Sequence, residues 1–148
     1  MKDKFAVFMV VLNLILLGAI ISESRGPQEQ FSPSDVLSED QISVLEDRVV
    51  IHVDNPTWAR FTDSNSMDPT LDIGTNAIQI IPNCPEDISV GDIITYNRNN
   101  DHIIHRVIGK GEDNQGPYFI AKGDNNPTSD SGRIRCDEIE RKTIALIY

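Results

Sequence analysis

Hydrophobic and polar residues change their rhythm three times along the chain. From Phe5 to Ile21, FAVFMVVLNLILLGAII, 17 residues carry no charge and one polar side chain, Asn13, directly after Lys2 and Lys4. A bilayer span needs about 17 to 25 such residues, so the run reads either as an uncleaved amino-terminal anchor or as a cleaved export signal. It exceeds the apolar core usual for a signal, and Ser22-Glu23-Ser24-Arg25 offers no small-x-small cleavage site, which favours the anchor. With Lys2 and Lys4 on the cytoplasmic side, the rest of the chain is expected across the membrane. Residues 22–34 then lose all apolar period and carry Gly26, Pro27 and Pro33, as a tether does. Ser38-Glu39-Asp40-Gln41 has the form of a capping box, and Ile42, Leu45 and Val49 follow at helical spacing, which predicts a short amphipathic helix near 35–47.

Beyond Arg48 the pattern shifts to short β segments: 49–53, 58–62, 77–81, 92–96, 103–108, 118–121 and 143–147, separated by Gly, Pro, Asn and Asp clusters. A mostly β domain over 35–148 is expected, a small antiparallel sheet or barrel behind one membrane helix and one short helix. Asn97-Arg98-Asn99-Asn100 should close one hairpin, and Gly109 to Gly116 should form a longer connection.

Charge and cysteine content narrow the function. The 148 residues include 23 acidic and 13 basic side chains, for a net charge of −10, which argues against nucleic acid as a partner. The two cysteines, Cys84 and Cys136, are too few for a disulfide-framed mini-protein and too far apart for a zinc knuckle. They pair if the domain lies outside the cytosol, and otherwise stand as separate small apolar residues.

The stretch SNSMDPTL, Ser64 to Leu71, places two hydroxyls and a methionine where a turn alone needs only the polar residues and Pro69. A nucleophilic serine requires a base, and a neutral imidazole supplies one. Of the three histidines, His52 lies in a predicted strand before the serine stretch, whereas His105 lies in the predicted strand 103–108 and His102 in its approach. Alternation places His105 with Ile103 and Val107 on a sheltered face and His102 on the other face, as a solvated hairpin residue. Asp124 and Asp130 in AKGDNNPTSDSG could each orient an imidazole, or simply form Asx-turns.

Taken in order, Ser64-Asn65-Ser66-Met67-Asp68-Pro69-Thr70-Leu71, Gly91-Asp92-Ile93-Ile94, Ile104-His105-Arg106-Val107 and Lys122-Gly123-Asp124-Asn125-Asn126 with Asp130 resemble the type I signal peptidases. The histidine, where bacterial members carry lysine, selects the archaeal and endoplasmic-reticulum branch. The resemblance covers about residues 60 to 135. It implies Ser66 as nucleophile, His105 as general base, Asp130 as the catalytic or orienting aspartate and Asp124 as a supporting one. It further implies Ser64 as a second oxyanion donor and Met67 beneath the substrate cleft. Asn65 stands where the family usually has glycine, and it is the least costly replacement if that backbone needs a positive φ.

The substrates implied are preproteins cut after small side chains at the outer face of the cell membrane, with the lipid bilayer as the other partner. The resemblance implies neither metal nor cofactor. One rival is a self-cleaving protease of similar fold using Lys110 or Lys122, but no DNA-binding helix pair precedes the domain. The other is an inactive membrane-tethered binding module, which intact Ser66, His105 and Asp130 argue against.

Overall fold

The structure, a computed structural model, describes residues 30–148. The expected anchor (5–21) and the first part of the tether (22–29) lie outside the described residues. Eight strands follow one another: β1 (Ile42–Val44), β2 (Val49–Ile51), β3 (Thr57–Arg60), β4 (Asn76–Ile80), β5 (Ile93–Arg98), β6 (Asp101–Asp113), β7 (Gly116–Lys122) and β8 (Ile139–Ile147). The strands β3 to β8 form an open antiparallel sheet in the order β3-β4-β8-β5-β6-β7, while β1 and β2 pair only with each other. The mostly β architecture therefore holds, as an open sheet with β3 and β7 at its edges.

The helix expected near 35–47 is not formed. Gln41 does reach back to Ser38, its side-chain oxygen accepting from the Ser38 N–H at 3.1 Å, yet only a single 3-10 turn, Glu39–Gln41, results. Ile42, Val44, Val49, Val50 and Ile51 are β-branched, and their pairing as a hairpin, with Ile42 opposite Ile51, overrides the helical spacing.

The connection expected at 109–116 is also shorter than the sequence suggested. The strand β6 runs on through Gly109 and Gly111 to Asp113, and only Asn114 and Gln115 turn the chain. A bulge between Val107 and Gly109 lets the glycines stay in the ladder. The Asn99-Asn100 turn between β5 and β6 has φ of +54° and +70°, as a two-residue hairpin turn with matching twist requires.

Adjacent residues of β5 point to opposite faces, and both faces are covered. Ile94 and Tyr96 join Ile88, Val107, Phe119 and Ile134 in the larger core, and Ile93 packs on the other side with Met67 and Leu71. The serine loop thus forms the lid of the second core. Behind it, Cys84 and Cys136 are bonded to each other, closing a loop of 52 residues in sequence separation.

Phe31 to Ser34, the end of the expected tether, lies against the sheet. The Ser34 N–H and hydroxyl both donate to Asp92 Oδ1 at 2.8 Å, and Asp92 Oδ2 meets Lys142 Nζ at 2.8 Å with both side chains buried. Burial works to raise the Asp92 pKa, but Lys142, Ser34 and the Ser89 N–H outweigh it and hold the carboxyl below its ordinary value. Beside it, Gly91 has φ of +105° and the Ser32 carbonyl lies where a Cβ would go, so the Gly-Asp pair anchors the entry of the chain.

Candidate active site

The chain leaves β3 at Arg60 and turns tightly through Ser64 to Leu71, with the Thr70 and Leu71 N–H groups donating to the Met67 carbonyl. Asn65 has φ of +56°, a left-handed conformation that asparagine adopts at less cost than most residues other than glycine. Met67 and Leu71 are buried, which presses the loop onto the sheet and leaves the half-buried Ser66 above it. The hydroxyls of Ser64 and Ser66 lie 3.1 Å apart and share a hydrogen bond.

A second loop, after β7, grips the first. The Asn125 N–H donates to the Ser66 carbonyl at 3.0 Å, and the Asn125 carboxamide donates to the Asn65 carbonyl at 2.9 Å. Gly123 allows this approach, because a Cβ there would collide with the Ser66 carbonyl oxygen. Asp124 accepts from Thr70 Oγ1 at 2.6 Å and takes a two-pronged bond from Arg106, at 2.8 Å on each carboxylate oxygen. Burial pushes the Asp124 pKa up, while Arg106 and then Thr70 more than offset it and hold the carboxyl below its ordinary value. Asp124 therefore ties both loops to β6 and does not touch His105.

Asp130 does. His105 projects from β6 opposite Ile94, on the face of the larger core, and is buried. Its Nδ1 lies 2.7 Å from Asp130 Oδ2, the same oxygen that accepts from the Tyr96 hydroxyl at 2.7 Å. Burial first, and Asp130 second, push the Tyr96 phenol well above its ordinary pKa, so it stays protonated and donates. The Asp130 N–H is itself fixed to the Ala121 carbonyl at 2.9 Å. Because a carboxylate only accepts, a neutral imidazole in this contact would donate from Nδ1 and present its lone pair at Nε2.

Ser66 opens into a cleft of about 280 Å³. Met67, Leu71, Phe61 and Ile104 make its apolar side, and Gln79 and Thr95 its polar floor. His102 stands exposed at the mouth with its Nδ1 2.7 Å from Glu140, as a hairpin histidine that shares the rim of the cleft. Among the described residues the Ser66 hydroxyl bonds to Ser64 and makes no hydrogen bond to His105, and the Ser66 N–H has no partner. Nor do three or more His, Cys, Asp or Glu side chains among the described residues gather as a metal-binding group.

Sequence reasoning singled out Ser64, Ser66, Met67, His105, Asp124 and Asp130, but missed Tyr96, Arg106 and Asn125 as their supports. Arg106 and Asn125 stand inside the motifs already noticed. Tyr96 gave no signal, since an aromatic residue in a buried strand is ordinary core.

Comparison with known proteins adds little to this geometry. No family model matches the chain, and no solved structure matches it. An uncharacterized protein of Methanocaldococcus jannaschii is 46% identical over 44 residues, which are 30% of this chain and 22% of that protein. The match thus covers less than a quarter of that relative's length.

Proposed function

We propose that the protein is a membrane-anchored serine endopeptidase of the type I signal peptidase kind, which removes signal peptides from exported preproteins at the outer face of the membrane. The observation that carries this reading is the buried His105–Asp130 pair on the same framework that displays Ser64 and Ser66 over a cleft. Asp130 fixes the imidazole tautomer and stabilises the imidazolium that forms when His105 accepts a proton.

An extended substrate segment adds to the outer edge of β3, which has no partner among the described strands and leads straight into the serine loop. The Ser66 hydroxyl leaves Ser64, gives its proton to His105 Nε2 and attacks the carbonyl carbon of the scissile peptide. The oxyanion is held by the Ser66 N–H and the Ser64 hydroxyl. When the tetrahedral intermediate collapses, His105 protonates the departing amine and an acyl-enzyme remains. Water, deprotonated by His105, then attacks the ester, and its collapse returns Ser66 and releases the new carboxylate. Met67 and Ile104 line the wall beside the residue that precedes the cut.

A graded series of variants tests the roles, with cleavage of a model preprotein by the full chain in liposomes as the assay. Ser66→Ala and His105→Ala abolish cleavage, and Asp130→Asn lowers kcat by about 10⁴ by removing the group that fixes the tautomer. Ser64→Ala costs about 10²–10³ in kcat, the loss of one oxyanion donor. Two observations favour one other reading, a tethered binding module without turnover. Ser66 is bonded to Ser64, and strand alternation sets His105 on the opposite face of β6 from Ile104, which lines the cleft. Folded protein that binds a preprotein but cuts none would establish the binding module instead.

A further inference from the structure

The tyrosine of the larger core carries a hydroxyl that packing alone does not need. Tyr96 is fully buried in the cluster of Ile88, Ile94, Val107, Phe119 and Ile134, where a phenylalanine would fill the same space with no polar group to satisfy. On β5 it stands opposite Ile103 while Ile94 stands opposite His105, so Tyr96 and His105 are diagonal neighbours on one face of the sheet. Their donors converge on one atom. The Tyr96 hydroxyl and His105 Nδ1 each lie 2.7 Å from Asp130 Oδ2.

Arg98 fixes this arrangement. Its guanidinium lies 5.4 Å from the centre of the Tyr96 ring, and it donates to the carbonyls of Ser131 and Arg133, which follow Asp130 in the chain. The other charged groups of the surrounding elements have partners or positions of their own. Glu138 meets Arg98 at 3.4 Å, and Lys142, opposite Ile94 on β8, is held by Asp92 at 2.8 Å. Arg106 and Lys122 stand opposite each other on the other face of β6 and β7.

A hydrogen bond to a charged acceptor stabilises the charge. The Tyr96 hydroxyl draws on the oxygen that would otherwise serve His105 alone, and so lowers the basicity that the carboxylate presents to the imidazole. Burial and Asp130 keep the phenol itself protonated, so it donates throughout. We propose that Tyr96 is a positioning residue for the His105–Asp130 pair, whose hydroxyl weakens the hold of Asp130 on the imidazolium and lets His105 release its proton at lower pH. The consequence for catalysis rests on the peptidase reading above, in which a base that keeps its proton cannot accept one from Ser66. The titration of His105 does not rest on it.

Tyr96→Phe removes the hydroxyl and keeps the ring. The full chain in detergent micelles, with isotopically labelled histidines, is titrated by NMR as wild type and as Tyr96→Phe, and cleavage of a model preprotein is followed over the same pH range. The expected result is a His105 midpoint about one pH unit higher in Tyr96→Phe, with those of His52 and His102 unmoved, and an acid limb of kcat/KM that rises with it. A merely structural role lowers stability and leaves the midpoint in place. An unmoved His105 midpoint in folded Tyr96→Phe overturns the inference, whatever the cleavage rate. A midpoint that rises in a chain that cuts nothing upholds the inference and overturns the peptidase reading. If Tyr96→Phe does not fold, the wild type decides. There the ring carbon of Tyr96 that bears the hydroxyl should shift through the His105 midpoint, because both share Asp130, and a flat response overturns the inference.

Discussion

Single residues around Ser66 hold the serine loop in its conformation. Asn65 sits at φ of +56°, and its backbone carbonyl accepts from the Asn125 carboxamide. Asn65→Gly is therefore expected to leave stability nearly unchanged. Asn65→Ala should lower it by about 1 kcal/mol, the cost of a left-handed conformation with a Cβ. Urea denaturation of the two variants checks this, and equal midpoints would show that the loop relaxes elsewhere. Gly123→Ala is a sharper probe, because its Cβ meets the backbone carbonyl of Ser66 and the side chain of Asn126. We expect a folded protein whose amide spectrum shifts at 65–67 and 125 and whose cleavage rate drops, since small displacements of a nucleophile cost about 10²-fold.

At the scale of elements, two buried ion pairs join what the sequence separates. Asp92–Lys142 binds β8 to the segment just before β5, with Ser34 bonded to both, and Asp124–Arg106 binds β6 to both site loops. Both carboxyls titrate below their ordinary value in the folded chain. Such groups stabilise the fold above the unfolded pKa of about 3.9, and that stabilisation is lost as pH falls through the folded value. Stability should thus be steady at neutral pH and fall below about pH 4, with a shallower fall in Asp92→Asn. An acid slope identical in wild type and Asp92→Asn would contradict the assignment.

The same scale shows what the sequence could convey. Strand positions and the Asn99-Asn100 turn were legible from alternation and turn chemistry. The helix over 35–47 was not excluded by sequence, because a capping box and period-3.6 spacing coexist with β-branched residues whose strand pairing prevails. Likewise Gly109 and Gly111 read as a loop, since a bulge that keeps glycines in a ladder leaves no local signature. At the site the chemistry-bearing residues were legible as types in order. Their partners were not, because whether Asp124 or Asp130 meets His105 depends on how the loop after β7 folds over the serine loop.

For the whole molecule, the Cys84–Cys136 bond and the location proposed beyond the membrane belong together, since disulfides persist in oxidising compartments. Closing a loop of this length stabilises a domain by about 4 kcal/mol in the chain-entropy treatment. Reduction should lower the denaturation midpoint accordingly, and an unchanged midpoint would show the bond to be dispensable. The sheet joins a serine loop over its smaller core to a buried His–Asp pair over its larger one. Among the described strands its edge at β3 is unpaired and leads into the serine loop.

Cleavage of a model preprotein in liposomes by the wild-type chain and by Ser66→Ala, with the cut site read by mass spectrometry, bears most directly on the proposed peptidase activity. We predict one cut after a small side chain at the end of the signal segment, present in wild type and absent in Ser66→Ala. Cleavage that persists in Ser66→Ala, or folded wild-type protein that cuts nothing, would contradict it.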